Sequence, residues 1–239
     1  MKAIILAAGR SSRLYPLTLT QPKCLLEVGG MSIIARQIKA LRNVGVDDIV
    51  VVTGFQKEKI MSALGNAVRY RVYENFAATN NLHTLWHVRD EFDDNCIILF
   101  ADVLFDPLLL KKLIAHPAPF CALVDTNRVL EGTMRVTLAS TILTGIGSHI
   151  APAEGHGNFI GIAKISAAGA PQFTQAIKIL VASGNHFNDY YTLAFDMLAK
   201  QGTEIACHEV GDHRWVEVDT LEDLKKAQNI YAEFIVQTL

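Results

Sequence analysis

The sequence predicts an α/β fold in three layers: a mostly parallel sheet with helices on both faces and a small β-rich portion added to it. Three observations carry the prediction. The apolar runs Ala3–Leu6, Ile49–Val52 and Cys96–Ala101 lack polar alternation, as strands buried on both faces do. Between them, apolar residues recur at helical spacing, and strand alternating with helix means parallel neighbours joined by right-handed crossovers. From about Phe120 the strand-like runs crowd together, which marks the added β-rich portion.

Ala3–Leu6 is read as the first strand, and Gly9–Pro22 follows as a long polar loop. Ile33, Ile34, Ile38, Leu41 and Val44 then mark a helix, with Ser32 placed to cap its start and Gly45 to end it. Ile49–Val52 is the second strand. A helix near Lys57–Leu64, a strand at Arg69–Tyr73, a helix near Leu82–Phe92 and the strand Cys96–Ala101 continue the alternation. Asp106 and Pro107 suit the cap and first turn of another helix. Strands at Phe120–Val124, Met134–Leu138 and Phe159–Ile165 come next, then helices at Ala167–Ala182 and Tyr191–Lys200. Strands at Glu204–Val210 and Trp215–Val218 precede a final helix. Without a repeat, low-complexity tract or linker, the chain reads as one domain over 1–239, with halves 1–118 and 119–239. Ligands of such sheets sit outside the carboxyl ends of the strands, so the loops there are where chemistry is expected.

Half of the 239 residues are apolar, ample for a core. Lys plus Arg number 22 against 24 Asp plus Glu, and a net charge of −2 offers no field for a nucleic-acid backbone or an anionic membrane. A small-molecule partner is therefore expected. Cys24, Cys96, Cys121 and Cys207 form no C-x-x-C pair, which fits reduced thiols and a cytoplasmic location. The first apolar run is cut short by Gly9, Arg10 and Arg13, unlike a secretory signal, and no run approaches the roughly 20 residues of a membrane span. A homodimer is compatible with the sequence but not marked by it.

Residues 6–26 concentrate the chemistry. Ala7, Ala8 and Gly9 let backbone N–H groups approach phosphates, while Arg13 and Lys23 bring two cations to one loop. A unit-charge contact at 4 Å is worth about 1 kcal/mol in water and about 4 at an effective dielectric of 20, so a partly enclosed loop outweighs scattered surface lysines. An ordinary surface loop is the alternative, and for Gly9 alone it would suffice. The order small-small-Gly, then Arg-Leu-x-Pro-Leu-Thr, then Pro-Lys is much harder to reach by accident. It is neither a Walker loop nor a G-x-G-x-x-G fingerprint.

Three carboxylates accompany the loop. Asp102 follows the strand Cys96–Ala101, where a magnesium ligand or a simple turn residue would stand. Glu217 and Asp219 alternate onto one face of a strand, and the capping box of Thr220 with Asp223 leaves Asp219 unoccupied. Asn80 and Asn81 precede a helix; their amides suit a base edge, and one of them suits a cap. His83 and His87 lie one turn apart but lack the glutamate of H-E-x-x-H, so they are assigned to a polar helix face.

With these residues in view, the chain resembles the sugar-phosphate nucleotidyltransferase superfamily, whose loop runs L-A-A-G-x-G-x-R-L-x-P-L-T-x-x-x-P-K, and the likeness extends over nearly its whole length. It implies a Rossmann-like fold in which Leu6, Ala7, Ala8, Gly9, Arg10, Ser11 and Ser12 hold the nucleotide, with Ala8 and Gly9 at base and ribose. Arg13 would meet the β- and γ-phosphates and Lys23 the α-phosphate under attack. Asp102 resembles the family's first metal aspartate, and Trp215–Thr220 its W-x-E-x-D-T element, which gives the second metal role to Asp219 first and Glu217 second, with Mg2+ as cofactor. Ser11 departs from the family's second glycine, so a slightly remodelled loop is expected.

Asn80, Asn81 and Thr84 lie in an N-N-x-x-[ST]-L stretch similar to that of bacterial choline-phosphate cytidylyltransferases, where many sugar-nucleotide relatives carry G-T-A. This favours CTP as the nucleoside triphosphate. Asp189 and Tyr191, the Asp-x-Tyr part of the run His186–Tyr191, resemble the same enzymes' acceptor region; with Tyr190 and Arg214 they suit an amino-alcohol phosphate, aromatic faces attracting the ammonium. The packing alternative is that Tyr191, Leu193 and Phe195 fill a helix interface while Asp189 caps that helix. The implied reaction is in-line attack of an acceptor phosphate oxygen on the α-phosphorus, with pyrophosphate leaving. Two alternatives stand beside it: a sugar-1-phosphate uridylyl- or guanylyltransferase, and a nucleotide-binding regulatory protein that has lost turnover.

Overall fold

A computed structural model describes the backbone over residues 1–237 and the side chains over 1–11 and 13–231. The unalternated apolar runs become its central strands. β1 (Lys2–Ala7) is followed by the short helix α1 (Leu17–Thr20) and the two-residue strands β2 (Glu27–Val28) and β3 (Met31–Ser32). α2 (Ile33–Asn43) starts where expected, with Ser32 Oγ accepting from Ala35 N at 3.4 Å, and Gly45 follows it at φ +79°. Next come β4 (Asp48–Thr53), α3 (Lys57–Leu64), β5 (Arg69–Val72), α4 (Asn81–His87) and β6 (Cys96–Phe100).

β1 runs parallel to both β4 and β6, with Leu6 level with Val52 on one side and Phe100 on the other, and β5 continues the parallel set beyond β4. The order β5-β4-β1-β6 means that the chain moves outward through α2 and α3 and returns across β1 through α4. Right-handed crossovers then put α2 and α3 on one face and α4 on the other, and a topological switch falls between β1 and β6.

The helix expected over Leu82–Phe92 stops at His87, and a separate 3-10 turn covers Arg89–Glu91. The break turns Glu91 inward. Its carboxylate, 5% exposed, bonds Lys2, Arg69 and Arg71 together, an arrangement a continuous helix would not aim.

The second half adds β7 (Val103–Phe105), α5 (Leu108–Ala115), β8 (Phe120–Asp125), β9 (Arg135–Ala139), β10 (Ile142–Gly147) and β11 (Gly157–Ile165). α6 (Ala170–Ala182), α7 (Thr192–Lys200), β12 (Ala206–Glu209), β13 (Trp215–Glu217) and α8 (Leu221–Gln237) complete it. The nine-stranded sheet runs β5-β4-β1-β6-β11-β8-β12-β10-β9, and only β11 and β10 oppose the common direction. β9 also pairs with the start of β11, so β11, β8, β12, β10 and β9 close on themselves. Strand β10, unforeseen in the sequence, supplies one side of that closure; Thr144, Gly145 and Gly147 dilute its apolar signal. β11 bends at Gly161 (φ +82°), where a Cβ would stand 2.7 Å from the Phe100 ring.

A second apolar cluster, Leu14, Leu26, Val28, Ile33, Leu104, Val218 and Ala227, sits apart from the main core. It ties the loop after β1 to the β7–β13 ribbon and to α8, so loop and ribbon face each other across one cleft. Among the described residues no helix is long and apolar enough to cross a membrane, and all four cysteines are buried and free.

Candidate active site

The carboxyl ends of β1 and β6 open into a cavity of about 220 Å3. Its wall draws on three elements predicted separately: the loop after β1, the residue after β6, and the ribbon strand β13. Glu217 pairs with Val103 in the ribbon, and Val218 N donates to Asp102 O at 3.0 Å, which sets Glu217 and Asp219 beside Asp102. Carboxylate oxygens of Asp102, Glu217 and Asp219 lie within 4.8 Å of one another. The capping box forms as read, Thr220 N donating to Asp223 Oδ2 at 2.9 Å and Asp223 N to Thr220 Oγ1 at 3.2 Å, and leaves the Asp219 carboxylate to the cavity.

Two cations meet these carboxylates. Lys23 Nζ, 6% exposed as a residue, donates to Asp102 Oδ2 at 2.8 Å and to Asp219 Oδ1. Burial alone would push the Lys23 ammonium down; the charges of Asp102 and Asp219 overcome it and hold its pKa above the usual lysine value. Arg13 Nη1 lies 2.9 Å from Asp219 Oδ2, yet its side chain is 61% exposed, so the pair contributes little stability and the guanidinium can turn toward a ligand. The pairing of Arg13 outward with Leu14 fully buried explains why the loop needs that dipeptide.

The remaining electrostatics call for more positive charge. Glu217 is pushed up to about 8, first by burial and then by Asp102 and Asp219. Asp102 Oδ1 is buried without a hydrogen-bond partner. A hard divalent cation, which takes one or two carboxylates from the protein, would satisfy all three groups at once.

Leu6, Ala7, Ala8, Gly9, Ser11, Asn80, Asn81, Thr84 and Tyr190 line the same cavity. Ser11 takes φ +53°, a left-handed conformation that favours glycine, while its carbonyl accepts from Thr18 Oγ1 at 2.7 Å. Arg10 stands outside the lining, its guanidinium 5.7 Å from the centre of the Phe76 ring. The Ser12 side chain lies outside the described ones.

The amides of Asn80 and Asn81 have other work than reading a base edge. Asn80 Oδ1 accepts from Asn81 N at 2.8 Å and its Nδ2 donates to Asn188 O at 3.1 Å, while Asn81 Oδ1 accepts from Tyr191 N at 2.7 Å. Both asparagines therefore staple the 187–191 segment to the start of α4, and only Asn81 Nδ2 remains for a ligand among these groups.

Three acceptor residues are corrected in place. Tyr191 is fully buried among Phe100, Phe159, Phe173 and Phe195, so it packs the core. Asp189 does not line the cavity; its carboxylate bonds His186 Nδ1 at 2.6 Å and caps no helix. Alternation along the ribbon sends Arg214 with Val216 to the face opposite Glu217, into a separate apolar hollow. His83 stacks on Phe187 and His87 tilts against Tyr73, a packing role for both. Phe76, Thr79 and Phe100 line the cavity unannounced; only the aromatic ring of Phe76, inside the amide-rich stretch, could have signalled it.

The chain is similar to several known proteins. The chain is 28% identical to the CTP:phosphoglutamine cytidylyltransferase of Campylobacter jejuni, over 94% of this chain and 98% of that one. It is 30% identical to the CMP-5'-(3-aminopropyl)phosphonate synthase of Streptomyces rubellomurinus over 95% of its own length, but spans only 38% of that protein. The solved CTP:phosphocholine cytidylyltransferase of Streptococcus pneumoniae superposes with a TM-score of 0.82 at 23% identity, covering 96% of this chain and 98% of that one, so it shares the fold. The family model described as the MobA-like NTP transferase domain matches residues 3–171, which hold the loop after β1 and Asp102, and the chain belongs to that nucleotidyltransferase family.

Proposed function

We propose that the protein transfers CMP from CTP to a small phosphorylated acceptor and releases pyrophosphate, with Mg2+ as cofactor. The observation that carries this reading is one cavity with two kinds of lining. Lys23, Arg13 and the three carboxylates cluster together, suited to a metal-bound polyphosphate, while Ala8, Gly9, Phe76 and Thr79 supply uncharged lining suited to a base. CTP is favoured by the likeness of the Asn80–Thr84 stretch to that of choline-phosphate cytidylyltransferases and by the two relatives whose names specify CTP or CMP.

Asp102 and Asp219, with Glu217, would hold Mg2+; the buried, unpartnered Asp102 Oδ1 and the raised Glu217 fit that role. Bound there, the metal would supply charge neutralisation on the triphosphate. Lys23, freed from its two carboxylates, is the cation within reach of an α-phosphate, and Arg13 serves the phosphates that leave. Backbone N–H groups at Ala8 and Gly9 can approach phosphate or ribose because little side chain intervenes. An acceptor phosphate is already anionic, so positioning replaces a general base. Tyr190 presents an aromatic surface on the acceptor side.

The test is Mg2+-dependent pyrophosphate release over four nucleoside triphosphates. Phosphocholine, phosphoethanolamine, phosphoglutamine, an aminoalkylphosphonate, a polyol phosphate and sugar 1-phosphates serve as acceptors. Turnover is expected with CTP and a non-sugar acceptor. Preference for UTP, GTP or dTTP with a sugar 1-phosphate would overturn the reading, and nucleotide binding without release from any pair would leave a regulatory protein.

A further inference from the structure

We propose that Phe76 restricts the site to nucleotides with a one-ring base. The inference rests on the reading of the cavity as a nucleoside triphosphate site. A polyphosphate is drawn to Arg13 and Lys23, which leaves the base for the uncharged wall where Phe76 stands beside Ala8, Gly9 and Thr79.

The ring is held there from several sides. Behind it runs the main chain at Gly54, so close that a Cβ on residue 54 would lie 2.7 Å from the Phe76 Cδ1 and 2.8 Å from Ala8 O. Glycine at this position is what lets the ring sit so deep. Phe55 meets Phe76 edge to face at 6.3 Å between centres, with an interplanar angle of 64°, and Phe55 N is itself fixed to Ala8 O at 3.0 Å. The Arg10 guanidinium stands 5.7 Å from the ring centre, which gives Arg10 a positioning role in place of direct nucleotide contact. A wall of this kind cannot retreat to admit a second fused ring, but it does not tell one pyrimidine from another. Size selection and pyrimidine identity are therefore separate properties of this site.

Binding measured without turnover separates them. Isothermal titration of the wild-type protein, Phe76→Ala and Phe76→Leu with Mg2+ and non-hydrolysable analogues of CTP, UTP, ATP and GTP needs no acceptor. The wild type should bind the pyrimidine nucleotides about 10-fold or more tightly than the purine ones. Phe76→Ala should shrink that ratio to about 3-fold or less, chiefly by tighter purine binding, and Phe76→Leu should fall between. Equal binding of purines and pyrimidines by the wild type would overturn the inference, as would variants that weaken all four nucleotides alike while remaining folded. If Phe76→Ala does not fold, an unchanged ratio in Phe76→Leu overturns it equally. Wild-type preference for UTP over CTP would remove the CTP assignment and leave the size restriction standing.

Discussion

Replacing Lys23 with alanine should move two measurable quantities in opposite directions. Its ammonium sits 2.8 Å from Asp102 Oδ2 and bonds Asp219 as well, in the place where a divalent cation would compete for the same oxygens. At that separation an effective dielectric of 20 gives an attraction of about 6 kcal/mol per pair before desolvation, most of which the cost of burying the charges offsets. Without the competing ammonium, Mg2+ binding in the absence of nucleotide should tighten by roughly 10-fold, or about 1.4 kcal/mol. Turnover should fall, because the cation nearest the α-phosphate is gone; loss of such a stabiliser costs about 3 kcal/mol, roughly 100-fold or more in kcat. Calorimetric titration with MgCl2 reads the first quantity and pyrophosphate release at saturating substrates the second. A folded variant with kcat within about threefold of wild type would refute the role at the α-phosphate. Weaker metal binding would refute the competition.

Other consequences follow from individual groups. Glu217 holds its proton more tightly in the folded, metal-free protein than in the unfolded chain, so its contribution favours folding at low pH and is lost as pH rises from about 4.5 to about 8; melting curves in EDTA should show that decline, and Mg2+ should remove it. Glu91 is the opposite case: bonds from Arg69 and Lys2 hold it down at about 2, so its stabilisation is present above about 4.5 and is lost as pH falls toward 2. Because Arg69 is half exposed, Glu91→Gln should cost only about 2 kcal/mol in urea denaturation at pH 7, and no measurable cost would remove Glu91 from the fold's anchoring groups. Ser11→Gly relieves a left-handed serine and should stabilise the protein by about 0.5–1 kcal/mol in the same assay, with a loss of stability counting against strain there.

How far the sequence could be read depended on whether a residue's role follows from local spacing. The buried strands follow from unbroken apolar runs, the Ser32 cap and the Thr220–Asp223 box from residue types at helix starts, and the shared face of Glu217 and Asp219 from a period of 2, and all appear in the structure. Tyr190 and Tyr191 show where that limit falls. They are neighbours just ahead of α7, yet one lines the cavity and the other lies in the aromatic core, a difference set by how the segment docks on α4. Phe76 is similar: its importance depends on Gly54, which lies beyond β5 in the chain and meets it only in the folded protein.

The same docking decides what Asn80 does. Sequence pattern suits it to a base edge, whereas its amide oxygen caps Asn81 N and its amide nitrogen donates to Asn188 O. Asn80→Asp separates these roles, since a carboxylate still accepts from Asn81 N but has no donor for the Asn188 carbonyl. Losing that bond should loosen the 187–191 segment, which carries Tyr190, by about 1 kcal/mol and raise KM for the acceptor about fivefold, with KM for the nucleotide unchanged. Steady-state kinetics with each substrate varied in turn measures both. A rise confined to the nucleotide KM would restore Asn80 to base recognition. A proportional rise in both would mean that base and acceptor sites share the α4 start so closely that neither can be loosened alone.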